Sequence, residues 1–353
     1  SVYFIGVVAN HVLFYSGDFQ MARFLSIITA LTVAALTATP TDAQVYTDPN
    51  KVDADYAIQG EYVGDVEGLD GDTAKFGVQI VAQGDGEFLG VGYPGGLPGQ
   101  GFVGDKEKII RVKAQKVDGG LKFQGEDGYG IYKDGAVTIY DNDGQLGGVL
   151  KKVERKSKTL GMKPPKGAVV LFDGTTADNF KNGKMTDDNL LMQGVTSKQL
   201  FQDHRVHVEF RLPYMPKARG QGRGNSGIYV QGRYEVQMLD SFGLVGAMNE
   251  CGGIYSVTDC PVNLCLPPLT WQTYDIYYTA ARYDDDGKVK SNPRVTVFHN
   301  GMLLHDDQEL PGDRNTTAAP LKAGPEPGPV YLQNHGNPVV YRNIWVVESA
   351  KRD

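Results

Sequence analysis

The chain has 353 residues, with 35 Lys+Arg against 42 Asp+Glu and a formal charge of −7. That balance speaks against a surface built to wrap nucleic acid, where positive charge clusters. Hydrophobic residues make up 41% and charged residues 22%, a globular composition whose length predicts two domains, each able to bury a core. The 45 glycines exceed the roughly 7% of average usage, and with no collagen-like period they predict many tight turns between short strands.

Residues 1–43 read as upstream sequence and a leader rather than as fold. Met21-Ala22-Arg23 opens an apolar run over residues 24–38, and Thr41 and Ala43 supply the small residues of a cleavage site. This is the pattern of a secretory signal peptide, and the run is shorter than the ~20 residues of a membrane span. The expectation is export to the periplasm or the medium, with no membrane span in the mature chain. Residues 1–20 precede Met21 and read as translation from a misplaced start.

Residues 44–150 read as a small glycine-rich all-β module. Phe76, Val78 and Ile80 alternate with Gly77 and Gln79, and Val137 and Ile139 with Thr138 and Tyr140, the period of two that strands show. Asp143-Gly144 predicts a hairpin. The stretch 93–101, with two prolines and four glycines, predicts an irregular surface turn and lacks the Lys-Ser/Thr ending of a phosphate loop. Residues 151–166 crowd seven Lys and Arg around Pro164-Pro165 and read as a basic linker.

The second domain is predicted over residues 167–353. Val206, Val208, Phe210 and Leu212 alternate with His207, Glu209 and Arg211, and Val295 and Val297 lead into Asn300-Gly301, a strong hairpin signal. The near absence of helical periodicity predicts two packed antiparallel sheets, a sandwich or jelly roll. Cys251, Cys260 and Cys265 lie close together. In an oxidising compartment one pair is expected to bridge, with Cys251 and Cys265 favoured and no zinc spacing evident.

Two segments carry candidate chemistry. In Tyr234-Glu235-Val236-Gln237-Met238-Leu239-Asp240, Glu235 and Gln237 share one strand face and Tyr234, Val236 and Met238 the other. A bulge near Leu239 would bring Asp240 to the side of Glu235. In the second segment Tyr331, Gln333 and His335 share a face, an aromatic, an amide and an imidazole suited to a sugar. Solvent-exposed polar faces and a structural histidine are the plain alternatives.

Leu171-Phe172-Asp173-Gly174, Asn225-Ser226-Gly227-Ile228, Tyr234-Glu235-Val236-Gln237, Gly253-Ile254-Tyr255, Trp271-Gln272-Thr273-Tyr274, Asn300-Gly301, Leu332-Gln333-Asn334-His335-Gly336 and Arg342-Asn343-Ile344 occur in this order. The series resembles the 3-keto-disaccharide hydrolase domain family over residues 168–348. That resemblance implies a concanavalin A-like jelly roll preceded by the small all-β module, and cleavage of glycosides already oxidised at C3. It implies an oligosaccharide or glycoside as partner. Glu235 is then the candidate base or metal ligand and His335 the alternative base. Asn225, Gln237, Gln333, Arg342, Asp240 and Tyr331 are candidates to bind the keto-sugar. A divalent cation is an option for holding the enolate oxygen. A sugar-binding lectin and a two-carboxylate glycosidase using Glu235 and Asp240 are the competing readings.

Overall fold

The structure, a computed structural model, describes residues 44–67 and 72–349. The leader and the upstream residues lie outside the described residues. The chain is all-β, with a closed barrel followed by a two-sheet sandwich. No helix among the described residues is long and apolar enough to cross a membrane.

The barrel is an eight-stranded meander: β1 (Gly60–Glu67), β2 (Thr73–Gly84), β3 (Glu87–Pro94), β4 (Ile110–Val117), β5 (Gly120–Gln124), β6 (Gly128–Lys133), β7 (Ala136–Asp141) and β8 (Leu146–Val153), closed by pairing of β1 with β8. Gly144 turns β7 into β8 at φ 84°, a hairpin at the predicted place. Inward residues such as Tyr62, Val78, Ile80, Leu121, Phe123, Val137 and Leu150 form a core of their own, which reaches Tyr214 and Leu269 of the sandwich. Lys151 and Lys152, read from sequence with the linker, belong to β8.

Stretch 93–101 departs from the expected surface turn. Tyr93 and Leu97 are buried, the Tyr93 hydroxyl donates to Gln79 Oε1 at 2.7 Å, and the carbonyl of Pro98 accepts from Arg155 at 2.7 Å. Its glycines let the backbone fold inward with positive φ at four positions, Gly95, Gly96, Gly99 and Gly101, so that apolar side chains reach the core.

The sandwich strands are β9 (Val169–Phe172), β10 (Phe180–Lys181), β11 (Leu191–Met192), β12 (Val195–Ser197), β13 (His204–Arg211), β14 (Asn225–Val230), β15 (Tyr234–Leu239), β16 (Trp271–Thr279), β17 (Arg294–His299), β18 (Met302–Glu309), β19 (Tyr331–Leu332) and β20 (Val340–Glu348). The seven-stranded sheet runs β9-β20-β13-β16-β17-β18, with β11 also on β20, and the five-stranded sheet runs β10-β12-β19-β14-β15. Val206, Val208, Phe210, Ile276 and Val346 of the first meet Ile228, Val236, Met238 and Leu332 of the second in one core. Each such buried side chain contributes about 1.5–3 kcal/mol, which fixes the register and so decides which residues face outward. This is the predicted jelly-roll sandwich.

The far face of the seven-stranded sheet is buried as well, under the segment that follows β8. His207 and Glu209 are buried there. Glu209 accepts from Gly161 N–H at 2.5 Å, Arg342 Nε at 2.7 Å and Asn343 Nδ2 at 2.8 Å, and His207 Nδ1 lies 3.1 Å from Asp275 Oδ1. Burial would push the Glu209 carboxyl up, yet His207 first, then Asn343, Arg342 and the Gly161 N–H, hold it down at about 2. The connection therefore lies clamped to the sheet.

Candidate functional site

The site is built on the outward face of the five-stranded sheet. Gln231, Gly232 and Arg233 turn β14 into β15, with φ of 53° and 63° at the first two, the left-handed backbone that tight hairpin turns use. The ladder then pairs Tyr229 with Glu235, Gly227 with Gln237 and Asn225 with Leu239. Opposed residues of an antiparallel pair share a face, so Asn225, Gly227, Tyr229, Glu235 and Gln237 look away from the core. Pairing of Tyr229 with Tyr331 on β19 adds Tyr331 to the same face, and the Gln333 amide N–H donates to the Gly227 carbonyl at 2.9 Å.

Side-chain bonds knit these residues together. The Tyr229 hydroxyl donates to Glu235 Oε2 at 2.6 Å and accepts from Gln333 Nε2 at 3.1 Å. The rings of Tyr229 and Tyr331 lie 5.3 Å apart. Glu235 is only 2% exposed and no cation pairs with it among the described residues. Burial pushes its carboxyl up to about 7, against the opposing pull of the Tyr229 hydrogen bond. A group poised there holds and releases a proton near neutral pH.

Sequence patterns did not mark the other half of the site. Gln221, in the short turn before β14, accepts through Oε1 from Asn225 Nδ2 at 3.2 Å and Gln237 Nε2 at 3.1 Å. The Asn249 carbonyl accepts from Gln221 Nε2 at 2.7 Å and from Gln237 Nε2 at 3.3 Å. These bonds leave Asn225 Oδ1 and Gln237 Oε1 as buried acceptors without a donor, which native proteins seldom tolerate unless a ligand or water fills the gap. Asn249 comes from the cysteine-bearing segment, whose Gly252, Gly253 and Tyr255 bond the backbone edge of β15 at Gln237 and Glu235. The only signal for it in sequence was the Gly253-Ile254-Tyr255 motif.

Three predicted site residues stand apart. Arg342 lies on β20 in the other sheet, bonded to Glu209 and stacked 4.0 Å from the Trp271 ring. The chain passes from the five-stranded to the seven-stranded sheet between β19 and β20, so proximity in sequence to His335 does not carry Arg342 to the site. Asp240 does not join Glu235, because the expected bulge is absent: the ladder stays in register to Leu239 and Asp240 N–H continues it to the Gly224 carbonyl at 2.7 Å. Its side chain is buried with Oδ2 3.5 Å from Arg223 Nε. His335 is exposed, two residues beyond Gln333 in the loop that leaves the sheet.

The cysteines also depart from expectation: all three are buried free thiols. Cys251 lies against the Tyr274 hydroxyl at 3.2 Å, and Cys260 belongs to a separate cluster with Leu264 and Leu304. Among the described residues no three His, Cys, Asp or Glu side chains converge as metal ligands. At the site the Glu235 carboxylate and the unpaired oxygens of Asn225 and Gln237 are the hard oxygen donors that a divalent cation takes together with water and substrate oxygens, and a cation held there would stabilise the developing enolate oxygen.

A model of the 3-keto-alpha-glucoside-1,2-lyase-like domain matches residues 167–347. Among solved structures the chain is similar to a candidate glycosyl hydrolase from Parabacteroides distasonis ATCC 8503, at 33% identity over 52% of this chain and 84% of that one, with a TM-score of 0.48. Two further candidate glycosyl hydrolases from the same organism match at 18% identity (51% of this chain, 98% of that one, TM-score 0.36) and 16% identity (52% and 95%, TM-score 0.38). No curated protein matches the chain.

Proposed function

The chain belongs to the 3-keto-alpha-glucoside-1,2-lyase-like family, a carbohydrate-active group, and from that premise we propose that it is an exported enzyme cleaving 3-keto-glycosides by elimination and hydration. The observation that carries this reading is a single buried carboxyl, Glu235, pushed up to about 7 on a sheet face lined with amides and tyrosines.

The chemistry asks for one base. A ketone at C3 acidifies the C2 proton, and Glu235 takes it. The electron pair left on C2 delocalises into the C3 carbonyl, then re-forms as the C1=C2 bond when the C1 oxygen departs with a proton as the free alcohol. Water adds across that bond, returning a proton to C2, and the net change is hydrolysis. In this reading the Tyr331 hydroxyl and the Gln333 side-chain amide would donate to the enolate oxygen. The unpaired oxygens of Asn225 and Gln237 would accept sugar hydroxyls. His335, exposed in the loop beyond β19, is the alternative base. No step is routed through a metal.

The two-carboxylate alternative has lost its second acid, since Asp240 is buried against Arg223. The lectin alternative differs in outcome. Purified chain is incubated with a C3-oxidised disaccharide and with its unoxidised parent, with and without chelator. Release of 3-keto-sugar from the oxidised substrate alone, abolished in Glu235→Gln, is the expected result. Binding without product would replace the enzyme with a lectin.

A further inference from the structure

At the end remote from the β2–β3 hairpin the barrel opens into a hollow of about 1060 Å³. An eight-stranded barrel is just wide enough for its own side chains to fill, or to hold one small ligand. Here one end is filled and the other is open. The filled end packs Tyr62, Ile80, Phe88 and Leu121 against Tyr214 and Leu269 of the sandwich.

Glycine keeps the other end empty. Gly90 and Gly92 on β3 and Gly130 on β6 line the cavity, and register places them opposite Val112, Ile110 and Phe123 on the inward face. A Cβ on Gly90 would fall 2.6 Å from the Phe123 ring, and one on Gly92 2.9 Å from Phe76. The two rings therefore occupy the space that side chains at these positions would take. Val66, Val112, Val137 and Ile139 add apolar lining beside the polar Gln124, Tyr129, Tyr140 and Gln145, and the volume lies just above the roughly 300–1,000 Å³ typical of small-molecule sites.

The rim sets the charge. Glu67, Glu107, Glu126 and Asp127 border the opening and are exposed. The rim cations are engaged elsewhere, Lys108 with Asp105 at 3.2 Å and Arg111 with the Gly243 carbonyl. An anion entering this mouth meets net repulsion, while a neutral ring meets two phenylalanine side chains.

We infer that the barrel is a binding site for an uncharged aromatic small molecule. This goes beyond the sugar chemistry of the sandwich and does not depend on it. The test titrates the full chain with N-phenyl-1-naphthylamine and with its sulfonated counterpart, 8-anilinonaphthalene-1-sulfonate, by fluorescence. The neutral probe should saturate at one equivalent, and the sulfonate should bind about tenfold more weakly. Ile139→Trp and Val66→Trp, each checked by circular dichroism, should weaken the neutral probe about tenfold by occupying the lumen. The exposed double variant Glu107→Lys/Glu126→Lys should improve the sulfonate several-fold and leave the neutral probe unchanged. Absence of saturable binding, full affinity in both folded tryptophan variants, or equal affinity for the two probes would overturn the assignment.

Discussion

The Glu235 carboxyl lies directly over Gly227, so closely that a Cβ at residue 227 would fall 2.0 Å from Oε1. Glycine is required there by proximity, not by backbone angle. Gly227→Ala should push the carboxyl off its position opposite Tyr229 and lower kcat/KM for a 3-keto-disaccharide about 100-fold, the scale on which a displacement near 1 Å acts. Steady-state kinetics beside a circular dichroism spectrum separates this from unfolding. A fully active, folded Gly227→Ala would mean that the Glu235 carboxyl can move without consequence.

Tyr229 tunes the same carboxyl. Its hydroxyl donates to the ionised form and so lowers a value that burial has raised to about 7. Since Glu235 must be ionised to act as base, the rate should climb with pH through about 7. In Tyr229→Phe that climb should shift upward by about one pH unit, the equivalent of a hydrogen bond to a charged group worth about 1.4 kcal/mol. The pH profile of kcat/KM reads the shift, and a profile that stays in place would detach Tyr229 from the base.

Much of this site was legible in the order of residues. Alternation in Val206, Val208 and Phe210 marks the core face, Asp143-Gly144 and Asn300-Gly301 mark turns, and the pleat alone sets Glu235 beside Gln237. What local pattern lacks is partnership between distant segments. Gln221 and Asn249 sit in irregular chain with no period to flag them, yet they hold Asn225 and Gln237 in place. Arg342 follows His335 by seven residues, but a crossing between sheets intervenes. Closure of the barrel depends on pairing β1 with β8, some ninety residues apart, which no short window reveals.

The buried clamp under the connecting segment predicts an acid-sensitive stability. Glu209 in the folded chain sits at about 2, below its ordinary 4.5. Its stabilisation is therefore fully present above about 4.5 and is lost as pH falls toward 2. The difference corresponds to about 3 kcal/mol. Glu209→Gln should lower the melting temperature at neutral pH and flatten its decline between pH 4.5 and 2, while turnover at 25 °C is retained. Equal decline in both proteins would place the acid-sensitive contact elsewhere.

The three thiols give the last test. Cys251 and Cys265 are buried in the main core and Cys260 in its own cluster, and burial pushes the Cys260 thiol up to about 12. Thiols that no reagent can reach react slowly. Ellman's reagent should find almost no reactive thiol in the native chain and all three after denaturation without reductant. One thiol in place of three would mean that two cysteines are bridged. The pairing favoured from sequence, Cys251 with Cys265, would then tie the start of the site-bearing segment to its end, and reduction should loosen Asn249 and weaken keto-sugar turnover.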